Sequence, residues 1–146
     1  MTNHTKRALA QRAATAIRVL GLDMPPGMRA TWPDDARPCR RYGSPGETAG
    51  WVSDYSGKER DITDAHALPD LDDDATKGAM LGLVRRAWDD PRAWVGPCAA
   101  PSNMWVAVCK STLQCQRATE AEVLVVALEA AVTHRRQTET SPEGRG

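Results

Sequence analysis

The chain has 146 residues with 19 basic against 19 acidic side chains, a formal net charge of zero. That length suits one domain with a core that needs no staples. The balance excludes a bulk field drawing it to nucleic acid or an anionic membrane. The charge is uneven along the chain, however. Residues 1–45 carry 8 Lys/Arg and 3 Asp/Glu, residues 46–75 carry 2 and 9, and the remainder 9 and 7. Either the two blocks compensate each other within the fold, or one of them recognises a partner.

In chain order, residues 5–21 read as a helix: Leu9, Ala13, Ile17 and Leu20 recur at three- and four-residue steps, and Gly21 stops it. A short strand is expected over 28–32. The Pro- and Gly-rich stretch 33–49 then reads as a long loop carrying Arg37, Arg40, Arg41 and Tyr42, a clustering of Arg and Tyr typical of binding surfaces. Residues 51–55 alternate as a strand and end at Ser56-Gly57. An acidic, irregular segment leads to the run Asp70, Asp72, Asp73, Asp74, followed by Met80, Leu83, Val84, Ala87 and Trp88 at helical spacing.

Trp94-Val95 begins a strand before the Gly96-Pro97 break, and 104–109 is the clearest strand of all. Thr119 and Glu122 form a capping-box pattern that opens a last helix. The order predicts an α+β fold, a layered helix/antiparallel-sheet/helix sandwich running α-ββ-α-ββ-α. It is one domain over 1–136, with a polar, disordered tail over 137–146.

The four carboxylates raise the question of a bound cation. A calcium loop begun at Asp70 would need Gly at its sixth position and Glu at its twelfth. Those positions hold Ala75 and Leu81, so the carboxylates read as a helix start, with Asp74 as cap. Zinc deamination needs His-x-Glu and Pro-Cys-x-x-Cys. His66-Ala67-Leu68 lacks the Glu, and Pro97-Cys98-Ala99-Ala100-Pro101 lacks the second Cys. No Cys-x-x-Cys occurs, and GSPGETAG at 43–50 lacks the Lys of a phosphate loop. No metal or cofactor is expected, and Cys39, Cys98, Cys109 and Cys115 read as small buried hydrophobes. His66 is the one candidate general base, and a lone His in an acidic loop is a weak one. Among the five tryptophans, Trp32 and Trp94, flanked by Pro or a loop, are the candidates for exposed anchors.

Three segments together resemble the bacteriophage ABA-sandwich domain proteins. They are Leu68-Pro69-Asp70-Leu71 with Thr76-Lys77-Gly78, then Leu83-Val84-Arg85-Arg86-Ala87-Trp88, and Ala118-Thr119-Glu120-Ala121-Glu122-Val123-Leu124. The resemblance spans roughly 50–133. It implies a sheet between helical layers and a phage or prophage origin, and it brings no catalytic residue. With no apolar leader, the chain is expected in the cytoplasm of a host bacterium.

The expected function is therefore non-enzymatic: an accessory protein that binds a host protein or complex, for instance by inhibiting a defence system such as a CRISPR effector. Its candidate contacts are Arg37, Arg40, Arg41 and Tyr42, the acidic Asp61, Asp64, Asp70, Asp72 and Asp73, and Trp32 and Trp94. The alternatives are a structural phage protein and a nucleic-acid-binding module using the basic first third. A homodimer is a further assembly open to it, and no membrane partner is expected.

Overall fold

The computed structural model describes residues 3–43, 50–60, 62, 64, 66–98 and 103–140. Helix α1 (Asn3–Leu20) leads into β1 (Arg29–Trp32), β2 (Asp35–Tyr42), β3 (Gly50–Ser53), β4 (Glu59–Arg60) and β5 (Leu68–Pro69). Helix α2 (Asp74–Ala87) follows, then β6 (Trp94–Pro97), β7 (Trp105–Cys109), β8 (Thr112–Arg117) and helix α3 (Glu120–Thr140). The α+β class is as expected. The expected strand pairs are not pairs, however: the first is an antiparallel sheet of order β4-β3-β2-β1-β5, and the second a separate antiparallel sheet, β6-β7-β8.

The stretch 33–49 departs furthest from expectation. Pro33 and Asp34 form a tight turn, Trp32 pairs with Asp35, and the chain returns as β2 through the centre of the larger sheet. Pro38 argues against a central strand because it has no amide to donate. It is tolerated since the register with β1 slips between Ala30 and Trp32, and pairing with β3 begins only at Cys39. The loop assignment therefore fails for 35–42, while 44–49 lie outside the described residues.

The helices follow their local signals closely. At the end of α1, Gly21 adopts φ +68, its amide donates to the Arg18 carbonyl, and Leu22 donates to Ile17. That is the paired closure that satisfies a helix's last carbonyls. At α3, the Glu122 amide donates to the Thr119 hydroxyl oxygen at 3.2 Å, and that hydroxyl donates to the Glu122 carboxylate. The helix continues through Thr140, so residues 137–140 are helical rather than tail. Once nucleated, a helix adds one hydrogen bond per residue without needing apolar partners. At α2 the cap is Asp73, with φ −84 and ψ 126, rather than Asp74.

Helix α3 is central. It packs against α1, α2 and one face of the three-stranded sheet, burying Val123, Leu124, Ala127, Leu128 and Ala131. Trp88 is buried at the end of α2 and donates its indole N–H to the Ala127 carbonyl at 3.0 Å. On the larger sheet, Trp51 is fully buried and meets Trp32 edge-on, with ring centroids 4.8 Å apart. Such a pair contributes about 0.5–1.5 kcal/mol beyond the area it buries.

The β7–β8 hairpin turns on Lys110 and Ser111, at φ +54 and +61. Both are left-handed positions, where a side chain costs about 1–2 kcal/mol relative to the ordinary conformation. Ser111→Gly is therefore expected to stabilise the fold by about 1 kcal/mol and raise Tm by roughly 3 °C. Thermal melts followed by circular dichroism would check this, and an unchanged or lower Tm would contradict the turn assignment.

Candidate protein-binding surfaces

The charges that stand apart in sequence meet in the fold. Arg29 on β1 and Arg40 on β2 are cross-strand partners. Arg29 Nε donates to Asp54 at 2.5 Å and its Nη1 to Asp70 at 2.6 Å. Arg40 Nη1 donates to Asp73 at 2.7 Å and to the Gly27 carbonyl at 3.0 Å. Asp54 lies 3.8 Å from Arg40 as well, so two guanidinium groups and three carboxylates form one half-buried network. Arg40 holds the Asp73 carboxyl well below its usual range, at about 2, helped by the hydroxyl and amide of Thr76.

Thr76 locks this network to the sheet. It is the one fully buried polar side chain among the described residues. Its hydroxyl donates to Asp73 at 2.9 Å and accepts the Arg29 amide at 2.9 Å. The start of α2 is thereby fixed to the backbone of β1.

Other expected contact residues are committed in the same way. Arg41 is only 11% exposed, stacks over Trp51 at 5.7 Å and pairs with Asp64 at 3.3 Å. Asp64 also accepts the Trp51 indole N–H at 3.0 Å and the Met24 amide at 3.2 Å. Lys6 pairs with Asp72, and the Tyr42 hydroxyl with Glu59. Asp35 lies between Arg37 and Arg60, which hold its carboxyl far below the ordinary value. Of the three expected arginines only Arg37, 72% exposed, stands largely in solvent. Asp61 lies outside the described residues.

The two tryptophans separate. Trp32 is buried, at 8% exposure, by its packing on Trp51, so it is no surface anchor. Trp94 is 46% exposed on β6. It pairs with Val108, which pairs with Leu113, giving one apolar row across all three strands. Leu113 is 56% exposed. The next row holds Gly96, Val106 and Gln116. A Cβ at Gly96 would stand 3.1 Å from the Trp94 ring, so the indole lies along its own strand, over the glycine. The opposite face, with Ala107, Cys109 and Cys115, packs into the core.

Leu113 and Val108 were not singled out in the sequence. The available signal was β7 itself, whose apolar residues run without the polar alternation of a half-solvated strand. His66 is exposed at φ +62 and borders a cleft of about 320 Å³ with Asp23, Asp64 and Arg18. Among the described residues, no three His, Cys, Asp or Glu side chains are grouped as metal ligands. All four cysteines are free; Cys39, Cys109 and Cys115 are buried, and burial pushes the Cys109 thiol up to about 11. Among the same residues no helix is long and apolar enough to cross a membrane. No family model, curated protein or solved structure matches the chain, so no family is identified.

The Asp73–Arg40 contact has a defined pH dependence. Because the carboxyl titrates lower folded than unfolded, its stabilisation is present above about pH 4 and is lost as pH falls towards 2. Asp73→Asn keeps a capping oxygen but removes the charge. It is expected to cost about 1 kcal/mol at pH 7, with the gap to the parent chain closing between pH 4 and pH 2. Urea unfolding across that range would measure it, and a gap constant with pH would show that the charge contributes nothing.

Proposed function

We propose that the chain is a non-catalytic binding domain that engages another protein through the outer face of its three-stranded sheet. The observation that carries this reading is the row Trp94–Val108–Leu113. A half-exposed Trp whose ring lies against a glycine of its own strand offers a large apolar area for contact at the cost of few rotatable bonds. In the two rows Gly96 and Val106 are buried, and the exposed members, Trp94, Leu113 and Gln116, carry no charge. Such a face lacks the cations that phosphate contacts require and favours an apolar protein surface.

The charged residues expected to make contacts are poorer candidates, because a partner would have to displace bonds already made within the fold. Such an exchange returns little net free energy. A phage setting, with a host protein or defence complex as target, remains part of the proposal and rests on the sequence resemblance alone.

The test is a pull-down with the tagged full chain from a bacterial host lysate, alongside Trp94→Ser/Leu113→Ser and, separately, Arg37→Ala. A discrete protein complex should be held by the parent chain and by Arg37→Ala. It should be reduced at least about tenfold in the double variant, as loss of one Trp anchor implies, while the thermal melt stays near that of the parent. A complex that survives the double change would sink the reading. Light scattering adds a second arm: a doubled mass that reverts to monomer in the double variant would assign the face to self-association instead.

A further inference from the structure

At the C-terminal end of α1 a cleft of about 320 Å³ opens between the last turn of the helix and the turn at 64–67. Its floor is apolar: Ile17 and Met24 are buried there, and Leu22 is half-buried. Arg18, Asp23 and His66 border it, and all three are exposed. Their side chains make no hydrogen bond or ion pair among the described residues. Arg18 and Asp23 thus line one cleft with opposite charges and do not pair with each other.

The walls are held by bonds that leave those three side chains out. Asp64 accepts the Met24 amide at 3.2 Å, the Trp51 indole N–H at 3.0 Å and Arg41 Nη2 at 3.3 Å. Its carbonyl accepts the Ala67 amide at 3.1 Å, closing the turn that presents His66 at φ +62. On the helix side, the Leu22 amide donates to the Ile17 carbonyl at 3.2 Å, and the Leu20 carbonyl accepts Arg135 Nη1 at 3.0 Å. The Asp64 carboxylate and the negative end of α1 are therefore already answered by cations. What stays open to a ligand is the Arg18 guanidinium, the Asp23 carboxylate and an imidazole N–H of His66.

We propose that this cleft binds a free α-amino acid with an apolar side chain. Arg18, with the His66 N–H beside it, receives the carboxylate, Asp23 receives the ammonium group, and Ile17, Leu22 and Met24 receive the side chain. The pair of unspent charges selects that class. A simple anion would meet the like charge of Asp23, and a simple amine that of Arg18, whereas a zwitterion answers both. A volume of about 320 Å³ lies at the small end of ligand sites, as suits a single amino acid. This site lies apart from Trp94, Val108 and Leu113 and stands independently of the reading given for that face.

Calorimetric titration of the full chain with leucine, methionine and phenylalanine tests it, beside glycine, leucinamide and N-acetyl-leucine. The three apolar amino acids should bind. Glycine, which brings nothing to the floor, and the two derivatives, which each lack one charge, should bind at least about tenfold more weakly. Arg18→Gln should abolish the distinction between leucine and leucinamide, and Asp23→Asn that between leucine and N-acetyl-leucine. Both side chains are exposed, so thermal melts of these variants should match the parent chain. His66→Gly suits a positive φ, so it should melt no lower than the parent and yet bind leucine more weakly. Trp94→Ser/Leu113→Ser should bind leucine as the parent does. No binding of any amino acid at about 10 mM, a derivative that binds as tightly as leucine, or affinity indifferent to Arg18→Gln and Asp23→Asn would each overturn the proposal.

Discussion

One carboxylate joins the two halves of the chain. Asp73 accepts the Thr76 amide, which would otherwise be an unpaired donor at the start of α2, and it accepts Arg40 from the middle of the five-stranded sheet. Thr76 then accepts the amide of Arg29, the cross-strand partner of Arg40. Cap, ion pair and strand amide thus form a closed circuit around a fully buried hydroxyl. Because each bond satisfies a group desolvated by the others, removing one leaves a buried polar atom unpaired, at about 1–3 kcal/mol. The angle at which α2 leaves the sheet, and hence where α3 packs against it, follows from this junction.

The same junction explains the charge segregation. The basic first third holds Arg29, Arg40 and Arg41, and the acidic middle holds Asp54, Asp64, Asp70 and Asp73. The fold brings the two blocks together as alternating charges along one sheet and the helix start beside it. Of the two meanings open to uneven charge, internal compensation accounts for most of these residues. Outside this compensation stand Arg7 and Arg18 on α1, both exposed, and the uncharged apolar row on the smaller sheet.

Helices were legible because each carries its own punctuation. Gly21 closes α1, a carboxylate cluster opens α2, and Thr119 with Glu122 opens α3, all within a few residues of the positions they govern. The strands were less so, for particular reasons. β4 and β5 have two residues each, too few for any period to show. β2 contains Pro38, whose penalty is cancelled only by a register slip that pairing creates. β8 follows a turn built on Lys and Ser where Asn-Gly would have announced it. Leu113 and Cys115 are two apart and would be assigned to one face. The bulge between Ala107 and Val108 sends them to opposite faces, one to solvent and one to the core.

The candidate sites were hard to see for a related reason. Reading contact residues from charge or aromaticity takes side chains singly, whereas exposure is settled by what their neighbours already use. Arg41 and Arg37 look equivalent in sequence, yet one is sandwiched between Trp51 and Asp64 and the other stands in solvent. Trp32 and Trp94 diverge likewise: one meets Trp51 edge-on across the sheet, the other lies against its own glycine. An interface here is whatever the fold leaves unspent, so its search begins by striking out every group with an internal partner. For this chain that elimination removes most of the charged residues first in view, and leaves the uncharged row of Trp94, Val108 and Leu113.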